Sequence, residues 1–150
     1  MSAPTKYFED FQLGEKFHIP SKTMTDAHFL FFAGLTGDNH PIHYDDEYAK
    51  TTRFGKRVAH GLLVTAMTAV GASTLSPLLE GSIVAFVEQS SRFLKPVLIG
   101  DTITPEIEVS ELVPKTDVGL LRLTTRVKNQ RDEVVLEGMH AYLLKKRPRI

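Results

Sequence analysis

The sequence predicts an α+β protein in which a curled antiparallel sheet of about five strands wraps around one long buried helix. Residues 1–80 read as helices and loops, whereas the chain after Gly81 alternates apolar and polar residues in the manner of strands. Between these halves, the segment GLLVTAMTAVGASTL is apolar on nearly every side. Such a pattern is typical of a helix buried inside a protein.

Three helices are expected in the first half of the chain. The first lies within TMTDAHFLFFAGLT, with Thr25 as its N-cap and Gly37 as its C-terminal stop. A short second helix is expected over residues 45–50, because acidic side chains suit a helix N-terminus. The third starts near Gly61, and Pro77 is expected to end it.

The strands are expected to form antiparallel meanders. One strand is predicted near the N-terminus and four after Gly81, with turn signals between them: residues 16–24, 82–93, 102–112, 121–128 and 134–144. The helix covers one face of this sheet, so the flank that remains needs a partner.

The composition limits the possible functions. The chain has 150 residues, 42% of them hydrophobic and 24% charged, which fits a single globular domain over residues 1–150. It has no cysteine, which excludes disulfides, zinc ribbons and thiol catalysis. A formal net charge of zero gives no reason to expect nucleic acid as a partner. No apolar leader or membrane-spanning run is evident, so we expect a cytoplasmic protein without a membrane partner.

The first candidate site lies in TGDNHPIHYDD, residues 36–46. Asp38 and His43 stand five residues apart on a loop that leaves a helix. Gly37 lets the chain turn and Pro41 stiffens its return, so the two side chains can be aimed at one point. A carboxylate beside an imidazole is a general acid–base pair, able to activate water and to deliver a proton.

Two other interpretations of this segment stay open. Asp, Asn and Pro are common turn residues, so the segment can be a polar turn in which His43 is structural. Alternatively, His40 and His43 can bind a metal together with Asp45 or Asp38, although a further histidine would then have to come from elsewhere in the chain.

The second candidate site is VAHGLL, where His60 and Gly61 directly precede the apolar helix. Backbone N–H groups at a helix N-terminus are unpaired and favour negative charge, and glycine lets a ligand approach closely. This is a recipe for an oxyanion site, although the pair can also be a simple helix cap. With the acid–base pair, it points to addition or removal of water across a double bond conjugated to a carbonyl.

The stretch GDNHPIHYDDEYAKTTRFGKRVAHGLL resembles the signature of the MaoC-like hydratases, the (R)-specific enoyl-CoA hydratase family. That signature is Gly-Asp, two residues, Pro, a hydrophobic residue, His and acidic residues, with a His-Gly pair and a buried helix further on. The matching positions are Gly37, Asp38, Pro41, Ile42, His43, Asp45, His60 and Gly61. The later segment EQSSRFLKPVLIGDTITPEIEV, residues 88–109, also resembles the family's strand, proline turn and Gly-Asp turn.

The resemblance implies a single hot-dog domain over residues 1–150, in a homodimer or a dimer of dimers whose sheets join. It implies a trans-2-enoyl-CoA substrate, or (R)-3-hydroxyacyl-CoA in reverse, and no cofactor, since coenzyme A belongs to the substrate. Asp38 and His43 would deprotonate a water as it attacks the β-carbon and return a proton to the α-carbon. The N–H of Gly61 would hold the thioester oxygen.

The resemblance also suggests supporting residues. Asn39, His40, Pro41 and His60 would support the catalytic loop, although His40 stands where the family usually carries asparagine, and Asn39 lies one position earlier. Basic side chains that could meet the phosphates of coenzyme A are Arg53, Lys56, Arg57, Arg92 and Lys95.

Two rival functions are considered. A hot-dog thioesterase would attack the thioester carbon with an acid on or before the central helix, but no acid lies between Arg57 and Glu80. A non-catalytic acyl-CoA-binding subunit is the other rival, and the intact Asp38 and His43 argue against it.

Overall fold

The computed structural model describes residues 4–148. Residues 1–3, at the N-terminus where no leader is expected, and residues 149–150 lie outside the described part. Six strands and four α-helices follow one another within residues 4–148. They are β1 Lys16–His18, β2 Lys22–Thr23, α1 Asp26–Thr36, α2 Asp46–Lys50, α3 Gly61–Ala66, α4 Ser76–Leu79, β3 Ile83–Phe93, β4 Thr102–Pro114, β5 Val118–Lys128 and β6 Val134–Lys145. Single 3₁₀ turns occur at Phe8–Asp10, Pro41–His43 and Val70–Ala72.

The sheet is antiparallel, with strand order β1-β4-β5-β6-β3 and β2 paired to the start of β4. The four long strands expected after Gly81 are confirmed. Alternation is strictest in β5, whose buried residues occupy every second position and include Leu121, Leu123 and Val127. The α+β class is therefore confirmed, with six strands rather than about five.

The extra strand arises near the N-terminus, where one strand over residues 16–24 was expected. Proline has no N–H to give to a sheet, and Pro20 divides the segment into β1 and β2. Both pieces pair with β4, β1 opposite Glu106–Glu108 and β2 opposite Thr102–Ile103.

The long central helix was predicted wrongly. After the six residues of α3, the chain passes through a turn and the 3₁₀ turn before α4 begins. The hydroxyl of Thr68 donates to the Thr65 carbonyl at 2.6 Å, and such a bond competes with helical pairing. Pro77 does not end a helix, because it stands in the first turn of α4, where a missing N–H costs nothing. Leu62 is 67% exposed, so α3 is not buried all round.

Two apolar clusters form the core. The one that matters for the site joins α1 and α3 to the sheet, and its members include Phe29, Leu63, Val64 and Leu136. Phe29 is completely buried, and burying such a side chain contributes roughly 1.5–3 kcal/mol. The packing fixes the end of α1 relative to the start of α3.

Strand β3 is the open edge of the sheet. It is 11 residues long, none of them is buried, and Val84, Phe86 and Val87 are each about half exposed. This is the flank that the sequence left without a partner. Within residues 4–148, no helix combines the length and the hydropathy needed to cross a membrane.

Candidate active site

The loop that carries Asp38 leaves α1 as the sequence predicts. Thr25 caps the helix start, where its N–H donates to Nδ1 of His28 at 3.0 Å. Gly37 ends the helix in the left-handed region, with φ of 76°, and its N–H donates to the Ala33 carbonyl at 2.8 Å. Because that conformation favours glycine, the sequence determines where the chain turns toward Asp38.

His43 lies on the 3₁₀ turn that Pro41 opens, and its protonation is determined by one contact. Nδ1 of His43 lies 2.6 Å from the carbonyl oxygen of Val58. A carbonyl only accepts, so Nδ1 carries the proton and Nε2 of the neutral ring keeps its lone pair. Burial lowers the pKa of His43, and this effect outweighs the Val58 hydrogen bond, which raises it. His43 therefore has the tautomer and charge of a general base.

His60 joins the two halves of the site. Its ring is buried, and Nε2 donates to the main-chain carbonyl of Asp38 at 3.0 Å. The ring stacks on that of His43, with centroids 3.6 Å apart and planes 21° apart, and the ring of Phe32 lies 4.9 Å away. Nδ1 of His60 is buried without a hydrogen-bond partner among the described residues. His60 thus positions both the Asp38 loop and the His43 ring.

The result is a compact cluster of Asp38, His43 and His60, in which one potential ligand atom of each lies within 4.8 Å of the others. One water that makes two hydrogen bonds of about 2.8 Å covers such a span. Asp38 is exposed and His43 half-buried, so water and substrate can reach the pair.

The same three residues are also types that bind metals, but the arrangement favours water. The lone pairs of an imidazole lie in the plane of its ring, and the rings of His43 and His60 are nearly parallel, so their lone pairs do not readily converge on one ion. In the alternative metal site with His40 and Asp45, both side chains already make other hydrogen bonds. Nδ1 of His40 accepts from the Ile42 N–H at 3.2 Å, and Asp45 caps α2 by accepting from the Tyr48 N–H at 3.0 Å.

His40 supports the loop by a different route from an asparagine. Besides its bond to the Ile42 N–H, its ring packs edge-on against Tyr48, with centroids 5.6 Å apart. The His40 N–H also approaches Oδ1 of Asp38 at 3.4 Å, a long contact. Asn39 is exposed, and its side chain has no comparable contact among residues 4–148.

Gly61 begins α3, directly after His60. A Cβ added there would lie 3.1 Å from the ring of Phe93, so a larger residue would press against that ring. Gly61 and Phe93 both line a cavity of about 320 Å³, together with Arg53 and Lys95. The helix end expected to bind a carbonyl thus opens into a cavity with two basic side chains.

The other basic candidates are distributed unevenly. Arg57, with 12% of its side chain exposed, pairs with Asp26 at the start of α1 and with Asp46 at the start of α2. It thereby joins the two helices that flank the loop of Asp38 and His43. Lys56 and Arg92 are exposed, and Lys95 pairs with Glu133 at 2.6 Å.

One part of the site could not be found from sequence motifs. The carbonyl of Val58 sets the tautomer of His43, and a backbone group leaves no mark in the sequence. Val58 is placed by two further bonds, since its N–H donates to the Ile42 carbonyl at 3.1 Å and the next N–H, of Ala59, donates to the Val97 carbonyl at 2.8 Å. Segment 57–61 therefore organises the whole site.

The sheet and helix arrangement, with a proton-transfer cluster beside a helix N-terminus, defines a hot-dog protein with an enzyme-like site. A Mycobacterium tuberculosis protein described as a double hot-dog fold matches 97% of this chain and 46% of its own, with a TM-score of 0.80 and 24% identity. This likeness confirms the predicted hot-dog fold.

The chain belongs to the family of the MaoC-like domain, whose model matches residues 10–133. An (R)-specific enoyl-CoA hydratase of Rhodospirillum rubrum is 37% identical over 88% of this chain and 87% of its own. A 3-hydroxybutyryl-CoA dehydratase of Methylorubrum extorquens is 36% identical over 88% and 80%. A structure described as a monoamine oxidase regulatory protein from Archaeoglobus fulgius matches 99% of both chains, with a TM-score of 0.91 and 38% identity. The predicted family and the class of hydro-lyase enzymes are confirmed.

Proposed function

We propose that this protein catalyses the (R)-specific hydration of a trans-2-enoyl-CoA to (R)-3-hydroxyacyl-CoA, or the reverse dehydration. The observation that carries the proposal is the pairing of Asp38 with a neutral His43 whose Nδ1 is held by Val58. Hydratase and dehydratase relatives support the same reaction class. A purely regulatory role, as in the description of the similar Archaeoglobus structure, would not require an acid–base pair of Asp38 and His43.

The proposed mechanism follows from the protonation of the site. A water held between Asp38 and His43 gives a proton to the pair, with Nε2 of His43 as the acceptor. Its oxygen forms a bond to the β-carbon, and the electrons of the double bond move toward the thioester carbonyl. The Gly61 N–H at the start of α3 stabilises the enolate oxygen. The pair then returns a proton to the α-carbon, which completes the addition of one water molecule.

The phosphates of coenzyme A are proposed to lie at the basic, solvent side of the cavity that Gly61 also lines, with the pantetheine arm between them and the thioester. Arg53 and Lys95 line it and both side chains reach solvent, with Lys95 also paired to the carboxylate of Glu133. Phosphate favours such cationic donors. Lys56 and Arg92 remain candidates for further phosphate contacts outside the cavity lining. Arg57 is instead paired with Asp26 and Asp46.

A homodimer joined through β3 is also part of the proposal. An edge strand this long and this apolar exposes unpaired N–H and C=O groups, which a second copy can satisfy. A dimer of dimers and the cytoplasmic location expected from the sequence stay predictions.

Crotonyl-CoA provides the direct test. We expect the absorbance of its conjugated double bond to fall on mixing, with (R)-3-hydroxybutyryl-CoA as the product and no free thiol. Asp38→Asn and His43→Ala should each lower turnover about 10²-fold or more, the typical share of an acid–base group. The matched controls Asp117→Asn and His18→Ala, both exposed, should keep normal turnover.

Three outcomes would refute this assignment. Release of thiol without hydration would favour the thioesterase, near-normal activity of both site variants would remove the acid–base pair, and binding without turnover would favour a non-catalytic subunit. A chelator should leave the rate unchanged, and loss of activity would revive the metal interpretation of the Asp38 cluster.

A further inference from the structure

A second cavity, here called the α3 groove, lies beside the candidate active site. The residues that line it are Leu62, Thr65, Ala66 and Ala69 on the helix side, and Phe86, Gln89 and His140 on the sheet. Leu62 stands three and four positions before Thr65 and Ala66 on α3, so these three share one face of the helix, and Ala69 follows after the turn that ends it. Leu62 directly follows Gly61, and the groove has a volume of about 320 Å³. It therefore begins where the thioester is proposed to bind.

An aromatic wall ends the α3 groove. The ring of Phe86 stacks on that of Tyr142, with centroids 4.8 Å apart, and packs on His140 at 5.2 Å. Behind this wall lies another cavity, of about 510 Å³, lined by Tyr142, Ile83 and Val70. Because Phe86 lines the groove and Tyr142 lines the cavity behind it, their stack separates the two spaces.

The wall is fixed and uncharged. Thr68 donates its hydroxyl proton to the Thr65 carbonyl, so its oxygen must accept from Nε2–H of His140, at 3.0 Å. Burial lowers the pKa of His140 and raises the pKa of Tyr142 to about 12, so both are neutral at neutral pH. The lining carries no cation that could pair with a carboxylate, and, besides His140, its two polar side chains, Thr65 and Gln89, each donate to the Ser91 hydroxyl. The apolar side chains and neutral rings that remain suit a hydrocarbon.

We infer that the α3 groove binds the acyl chain of the substrate, and that the Phe86–His140–Tyr142 wall limits that chain to a short, uncharged one. The inference rests on the proposed function and adds the substrate class. The two cavities beside Gly61 divide by charge: the basic one suits the phosphates, and the apolar one suits the acyl group. The thioester lies between them.

The test is the dependence of kcat/KM on chain length, from crotonyl-CoA to dodecenoyl-CoA. The wild-type protein should lose about ten-fold or more in kcat/KM between the two, a discrimination that pocket size readily provides. Phe86→Ala opens the wall and should raise the ratio of kcat/KM for dodecenoyl-CoA to kcat/KM for crotonyl-CoA about ten-fold. Phe86 is half exposed, so its truncation should leave the fold intact. Phe31→Ala on α1, the same substitution at an exposed site, is the matched control.

Binding of the unreactive butyryl-CoA and dodecanoyl-CoA, measured by calorimetry, separates this inference from the proposed function. If no enoyl-CoA is hydrated, the function fails, but the chain-length dependence of Kd in wild type and Phe86→Ala still decides the inference. A flat dependence in wild type, or an unchanged dependence in Phe86→Ala, would overturn it. Phe86→Ala should also sediment like the wild type; a changed oligomeric state with unchanged chain-length dependence would mean that a second copy of the chain occupies the groove.

Discussion

At the scale of single residues, the function proposed for the site depends on one backbone contact. Val58 holds Nδ1 of His43 through its carbonyl, which leaves Nε2 free to accept a proton. The sequence pointed to Asp38 and His43 as a pair. It could not show that a carbonyl fifteen positions after His43 would select the useful tautomer, because that contact depends on how the loop folds back.

The first prediction concerns the titration of His43. Burial lowers its pKa, so we expect the midpoint to lie below about 6.5, the ordinary value for histidine. The folded state disfavours the protonated His43 ring. The stability contributed by neutral His43 is therefore fully present above about pH 6.5, and it is lost as the pH falls through the lower pKa of the folded state. NMR of the imidazole protons measures the midpoint, with His43→Ala used to assign the resonance. A midpoint above 6.5 would contradict the neutral base.

At the scale of elements, α1 and α3 show what local sequence can and cannot determine. The start and end of α1 follow from Thr25 and Gly37, since capping and the left-handed turn are local effects. The end of α3 was missed because apolar residues do not reveal the Thr68 hydroxyl bond to Thr65. The same Thr68 meets His140, which is 72 positions away, so this contact required the fold.

A second element-scale feature is the ion-pair clamp of Arg57, which gives a prediction. Arg57 joins the starts of α1 and α2 through Asp26 and Asp46, on either side of the loop proposed to be catalytic. Arg57→Lys loses the forked geometry. We expect a fall of about 1 kcal/mol in the free energy of unfolding, since both partners are more than half exposed.

The kinetic effect of Arg57→Lys distinguishes the clamp from a phosphate contact. A misplaced loop should lower kcat with little change in KM, whereas a lost phosphate contact should raise KM. Arg53→Lys, at the basic cavity, is the matched comparison and should act mainly on KM. Denaturant unfolding and steady-state kinetics of both variants provide the measurements; a KM effect alone in Arg57→Lys would show that the clamp is not its role.

At the scale of the whole molecule, the sequence predicted the sheet better than the helices. Alternation in β4 and β5 reports directly on which face is buried, and those strands lie close to their expected ends. The breaks at Pro20 and after α3, and the approach of His60 to Asp38, depend on contacts between distant segments. The family motif identified Asp38, His43, His60 and Gly61 from the sequence. Only the fold shows that His60 donates to the Asp38 carbonyl and stacks on the His43 ring.

The last prediction concerns the assembly. If two copies join through β3, lysine at Val84 and Val87 brings like charges together along the shared edge, and charged edges prevent strand pairing. We expect the double variant Val84→Lys, Val87→Lys to sediment as a monomer, whereas the wild type sediments as a dimer or a larger even assembly. Both side chains are about half exposed, so each chain should keep its fold, which circular dichroism checks. Leu13→Lys, an exposed apolar site near β4, is the control and should keep the wild-type assembly. A dimer that survives the double variant would mean that the copies meet through another surface, and a wild-type monomer would leave β3 as an unpaired edge.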